Sequence, residues 1–244
     1  MEKMIYLITF ILNISLAAFC QEAPLTPLNH QADASLLKSE TYIMDWLIIR
    51  DTIEIKIGEV ETQIQKKEEV IYFITKVKMN QSTGVWIDST LITSDNFKPV
   101  YHSSYNQERE MVLSFNNEVT GYYLDKQTGI KTQISEKINA QFFDSNFYPQ
   151  LVRFLPLQEN YATTISIYDY KPMAKIGVIT ATIKNTEETS INFKGTNRRV
   201  WKVDTTDDIS DNEVKSIYYI DVTTRKILKQ EINTGERKMV MKLM

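Results

Sequence analysis

From about residue 40 the chain places hydrophobic side chains at every second position. Ile71, Phe73, Val77 and Met79 share one parity with Thr75, while Tyr72, Ile74, Lys76 and Lys78 take the other. One face is mainly apolar and the other carries the charges, as in a strand buried on one side. Val85, Ile87 and Leu91 alternate with Asp88 and Thr90, and Met111, Leu113 and Phe115 alternate with Val112 and Ser114. Ile165 and Ile167 follow the same rule. Ile217 and Tyr219 alternate with Tyr218 and Ile220, and there both faces are apolar.

Turn formers separate these runs: Asn80–Gly84, Asn116-Asn117, Asp125–Gly129 and Asn233–Gly235. Such residues tolerate positive φ or bond to their own backbone. Short strands at hairpin spacing, rich in β-branched and aromatic residues, predict an all-β, mainly antiparallel domain over residues 40–244. The expected architecture is a single strongly curved sheet, a half-barrel or β-roll, with one short helix packed on it. Its apolar face is expected from the odd-numbered residues of 71–79 and 85–91.

One stretch departs from period two. Phe147, Tyr148, Leu151, Val152, Phe154 and Leu155 recur at helical spacing, behind Asp144-Ser145-Asn146 as a cap and ahead of Pro156 as a stop. Pro149 fits only the first turn. Arg153 is the one charge in this apolar run, to be exposed, paired, or in contact with a headgroup.

The start of the chain has a different pattern. Lys3 precedes an apolar run from Met4 to Phe19, followed by Cys20. A charged start, an apolar middle and small residues at the end compose a signal peptide. The run is short for a membrane-spanning helix, which needs about 20 apolar residues. Ala18 and Cys20 fit the two small positions before a cleavage site, so residues 1–20 read as removed. Lipidation of Cys20 is the alternative, and the bulky Phe19 counts against it. The expected location is periplasmic or secreted, with a lipid-anchored outer-membrane form as the other outcome. Residues 21–39, with Pro24 and Pro27, read as a flexible linker.

Composition narrows the function classes. The only cysteine is Cys20, so a chain cut after it has neither a disulfide nor a thiolate metal site. A net charge of −3 argues against nucleic acid, which needs a cationic surface. No later stretch is long and apolar enough for a membrane span, so the cleaved protein is not expected to be integral to the membrane. Ser35–Lys38 matches S-x-x-K and Ser94-Asp95-Asn96 matches S-D-N, two marks of serine β-lactamases. The third mark, K-T-G, is absent, and strands occupy the space where that fold needs helices. His30 and His102 are the only histidines, and neither stands in a nucleophile motif. His102 reads as a surface or strand-end residue. The acidic stretch Asp207–Glu213 reads as a solvated loop and lacks the spacing of a calcium loop. No catalytic residue, metal or cofactor is expected.

Several segments resemble a known group: Asp88–Leu91, Phe97–Tyr101, Phe143-Asp144, Leu151–Leu157, Tyr218–Asp221 and Thr224–Leu228. They are similar to exported β-rich proteins of a domain-of-unknown-function family often seen in Bacteroidetes, with a YmcC-like fold similar to the lipoprotein carriers LolA and LolB. The resemblance implies a long curved antiparallel sheet, a helical segment on its concave side and an envelope location. It supplies no catalytic residues. With thirteen Tyr, ten Phe and three Trp, a curled sheet has aromatics to line an apolar site. The expected function is a non-catalytic envelope protein binding a lipid or other apolar ligand. The lining residues would be Phe73, Val77, Val85, Ile87, Leu113, Phe115, Phe147, Leu151 and Phe154. A structural or assembly partner in the envelope is the alternative, and a hydrolase the second alternative.

Overall fold

The computed structural model describes residues 23–172 and 175–244. The expected signal peptide, with Cys20, lies outside the described residues. Eight strands run from the first half of the chain: β1 (Glu40–Arg50), β2 (Ile53–Lys66), β3 (Val70–Met79), β4 (Val85–Thr93), β5 (Pro99–Tyr105), β6 (Arg109–Phe115), β7 (Val119–Asp125) and β8 (Lys131–Glu136). A two-residue strand β9 (Phe143–Asp144) leads into helix α1 (Tyr148–Leu151) and a 3-10 turn, Val152–Phe154. The second half adds β10 (Thr163–Tyr170), β11 (Ile176–Phe193), β12 (Thr196–Asp207), β13 (Lys215–Asp221), β14 (Ile227–Asn233) and β15 (Lys238–Leu243).

All belong to one 15-stranded sheet in the order 8-7-6-5-4-3-2-1-15-14-13-12-11-10-9. Neighbours are antiparallel hairpin partners except at two places. β1 pairs with β15 across the middle, with Met44 opposite Leu243, and β9 runs parallel to β10. The four expected turns fall between β3 and β4, β6 and β7, β7 and β8, and β14 and β15. The β11–β12 hairpin turns on Lys194 and Gly195, both at positive φ. That is the geometry whose twist suits a two-residue connection.

The sheet is strongly curved and not closed. Register shifts at Trp46/Leu47, Leu91/Ile92, Ile183/Asn185 and Tyr219/Ile220 each add local bend and twist. The curling brings the β9–β10 end inside the other half. β10 is therefore buried on both faces, with Ile165, Ser166, Ile167 and Tyr168 all inaccessible. Ile165 and Ile167 join the main core with Ile71, Phe73, Val203 and Ile220. Tyr168 and Tyr170 join a second cluster with Met111, Leu113 and Phe115. The half-buried strand expected at residues 163–170 is thus a fully enclosed one.

The helical segment fills the concave side. Phe147, Leu151 and Phe154 are almost wholly buried in the main core. Its regular part is shorter than expected, one α-turn and one 3-10 turn. The expected cap is also corrected: the first turn starts at Phe147 with no side-chain cap bond. Asp144 instead accepts from the Asn146 backbone N–H at 2.8 Å, while the Asn146 amide donates to Thr90 at 3.1 Å. Arg153 is paired. It is buried and donates to Glu40 at 2.7 Å, the Arg225 carbonyl at 2.6 Å and Gln150 at 2.9 Å.

The segment expected as a flexible linker is packed instead from residue 23 onward. Leu25 forms a parallel bridge to Ile165, with Leu25 N–H donating to Thr164 O at 2.8 Å and Ser166 N–H to Leu25 O at 2.9 Å. It thereby prolongs the row that β9 begins, covering backbone groups that an open edge would leave unpaired. Leu37 is buried in the main core, and His30 stacks on Phe97 at 5.3 Å. Two prolines and a polar composition favour looseness; the strand-like pairing of the partly buried Leu25 and the burial of Leu37 override it.

Candidate functional site

The register of the first half decides which side chains face inward. Directly opposed residues share a face, and β3 meets β4 with Phe73 opposite Thr90, Thr75 opposite Asp88 and Val77 opposite Trp86. The odd-numbered face of β3 is therefore continuous with the even-numbered face of β4. This corrects the expected apolar face on Val85, Ile87 and Leu91. Ile87 points to the convex side, and Val85, 45 % exposed, sits at the strand start. β5 continues the inner face with Ser104 opposite Asp88 and His102 opposite Thr90.

The inner surface of β4 and β5 is consequently polar, and it is wired together. Trp86 Nε1 donates to Asp88 at 2.8 Å and to Ser104 Oγ at 3.2 Å. Arg109, from the inner face of β6, donates twice to Ser104 Oγ, at 3.2 and 3.1 Å, and its guanidinium lies 5.6 Å over the Trp86 ring. Deeper in, His102 Nδ1 meets Asp144 Oδ2 at 2.8 Å, and Thr90 Oγ1 donates to Asp144 Oδ1 at 3.2 Å. Ser145 Oγ donates to Asp169 at 2.7 Å. This cluster joins β4 and β5 to the inturned β9–β10 end.

His102 is buried, not a surface residue as expected. Burial alone would lower its pKa, but Asp144 beside it, with Asp88 and Asp169 further away, outweighs that and holds the imidazole above its ordinary value. Its Nε2 has no hydrogen-bond partner among the described residues. Asp169 is shifted upward by burial, and the charge of Asp144 adds to the shift.

Above this cluster, at one mouth of the roll, lies a cleft of about 540 Å³. Trp46, Val77, Met79, Trp86, Tyr123 and Pro172 form its apolar wall. Gly58 stands opposite Trp46 on the inner face, where a Cβ would come within 2.5 Å of the Lys78 carbonyl. A side chain there would push β2 off β3 beneath the cleft. Arg109, Lys171 and Glu108 supply charge at the rim. Trp46 Nε1 is buried without a partner.

Eight of the nine residues expected to line a ligand site fall into three groups, and Ile87 falls in none of them. Phe73, Phe147, Leu151 and Phe154 pack together in the main core, and Leu113 and Phe115 in the second cluster. Val77 and Val85 line the mouth cleft, while Ile87 is outside it. The sequence reading did not single out Trp46, Trp86, Arg109 or the His102–Asp144 pair. A usable signal existed in β4: Trp86 and Ile92 share the parity of Asp88 and Thr90, so that face holds two large apolar groups beside its polar ones. The acidic stretch opens with Asp207, which accepts from the Tyr148 hydroxyl at 2.6 Å. Among the described residues no group of three His, Cys, Asp or Glu side chains is placed to hold a metal ion.

Fold and site together define a β-roll protein whose interior is filled by an inserted helical turn and whose mouth carries an aromatic cleft. The chain belongs to a family of proteins of unknown function, DUF3108, whose model matches residues 41–242. No curated protein and no solved structure matches it.

Proposed function

We propose that this is an exported, non-catalytic envelope protein that binds a lipid or other apolar ligand at the mouth of its rolled sheet. The observation that carries this reading is the cleft of about 540 Å³ walled by Trp46, Val77, Met79, Trp86 and Tyr123. A concave apolar site with a few convergent polar groups is the usual form of a small-ligand pocket. The deep interior is taken up by Phe147, Leu151 and Phe154, so the ligand enters at the rim and does not thread the roll. The signal-like first twenty residues support export. The resemblance to lipoprotein carriers points to the same ligand class.

Native mass spectrometry of protein purified from an envelope fraction, followed by organic extraction, tests the reading. Bound acyl species are expected, and Met79→Arg, which places a charge in the cleft wall, should strip them while the fold is retained. Protein that carries no acyl species and binds none when offered would overturn it.

A further inference from the structure

The mouth cleft holds a cation that makes no direct ion pair among the described residues, its nearest acids acting on it only at longer range. Arg109 projects from the inner face of β6, where its cross-strand neighbour on β7 is Asp125. Asp125 does not pair with it: its carboxylate accepts from the backbone N–H groups of Gln127 and Thr128, at 2.8 and 3.1 Å, in the following turn. Arg109 is held by a neutral partner, the Ser104 hydroxyl, and by the face of Trp86. Among the described residues no carboxylate forms an ion pair with it. A guanidinium presents five donors in a planar fork, and Ser104 occupies Nε and Nη2 only. One further donor stands at the same space, Lys171, exposed at the rim. Glu108 is the one acid in the lining, so the cleft keeps an excess of positive charge.

A partly buried arginine fixed against an indole and a hydroxyl keeps donors free for a charged partner, and charge-assisted bonds to such a partner are the strong ones. We propose that the cleft takes an anionic amphiphile, with a carboxylate or phosphate headgroup on Arg109 and a single chain along Trp46, Val77, Met79 and Tyr123. This rests on the reading that the cleft binds an apolar ligand and adds the charge of its headgroup. Lys171 at the rim completes the headgroup site. Glu108 sets a limit on its negative charge by repelling a more highly charged group.

The test compares three ligands with the same ten-carbon chain, decanoate, decyl phosphate and decanol, titrated calorimetrically into the full chain. The expected result is that at least one anion binds about tenfold more tightly than the alcohol. Which of the two leads distinguishes a carboxylate from a phosphate headgroup. Arg109→Gln should remove the preference, so that the variant binds both anions no more tightly than it binds decanol, whereas Arg109→Lys should keep most of the preference. If Arg109→Gln does not fold, salt serves instead: raising ionic strength from about 0.05 to about 0.5 M should weaken the anions and spare the alcohol. Equal binding of anion and alcohol by the unaltered protein, or a preference that survives Arg109→Gln, would overturn the headgroup assignment alone. Failure of all three ligands to bind would overturn the apolar-ligand reading and this assignment with it.

Discussion

His102 is faced by acids from three strands: Asp144 on β9 at hydrogen-bond distance, Asp88 on β4 and Asp169 on β10. Arg109 on β6 is the cation that acts on the same cluster, through Asp169. The folded protein therefore holds the His102 imidazolium more firmly than the unfolded chain does. A folded pKa above the unfolded value of 6.5 contributes stability that is complete below 6.5 and is lost as pH rises through the folded value. Urea unfolding should accordingly show a lower midpoint at about pH 8.5 than at about pH 6. In His102→Gln that difference should shrink, and the overall stability should fall by about 3 kcal/mol because Asp144 stays buried without its partner. An unchanged pH slope in the variant would remove His102 as its source. Gly121 is the other residue with a sharp expectation. A Cβ there would lie 1.9 Å from the Val112 carbonyl, and φ is +154°. Gly121→Ala should cost about 3 kcal/mol, read from the same unfolding curves.

At the scale of elements, the helical insert is the strongest case of a short segment carrying a large share of the core. Leu151 and Phe154 are packed against side chains from both halves of the sheet. Leu151→Ala should destabilise by about 3 kcal/mol through lost burial and the cavity left behind. Glu40→Ala should cost a similar amount, since it leaves the buried Arg153 guanidinium without its carboxylate. The 3.6-residue spacing of Phe147, Leu151 and Phe154 made this insert legible, as period two made the strands legible. Strand β4 was not read correctly, and the reason is physical. Alternation identifies two faces but not which one is inside, and the usual assumption that the apolar face is buried fails where the interior is a polar network. Asp88 accepts from Trp86, two positions away on the same face, while Thr90 is satisfied by Asp144, on a strand more than fifty residues later. No local pattern announces the second contact. The mouth cleft was half legible for the same reason: Val77 and Val85 belong to readable strands, while Trp46, Tyr123 and Arg109 meet them only through curvature.

The whole molecule consists of two meanders laid side by side, each built almost entirely from sequential hairpins. Contacts within each are local in sequence, which favours rapid independent formation. What unites them is the inturned β9–β10 end, the helical insert, and the central pairing of β1 with β15. That pairing joins residues about 200 positions apart, from Met44–Leu243 to Ile49–Lys238. A chain cut after Asn233 should lose the seam between the halves while retaining hairpin structure in each. Limited proteolysis should then release two resistant fragments, where the full chain gives one. A cut chain that stays whole under protease would show that the insert alone suffices to hold the halves together.

The position of that seam also fixes a sequence of events. Ribosomes deliver a chain from its N-terminus, so β1 appears early and waits with one flank open while the other strands are made. Its partner, β15, emerges last. Throughout that interval β1 carries an unmatched strand flank at the centre of what will become a continuous sheet, and the flank of β14 joins it only at the end. A protein built this way is exposed to wrong pairing until its last strand arrives, and a chaperone would find its most useful grip on β1.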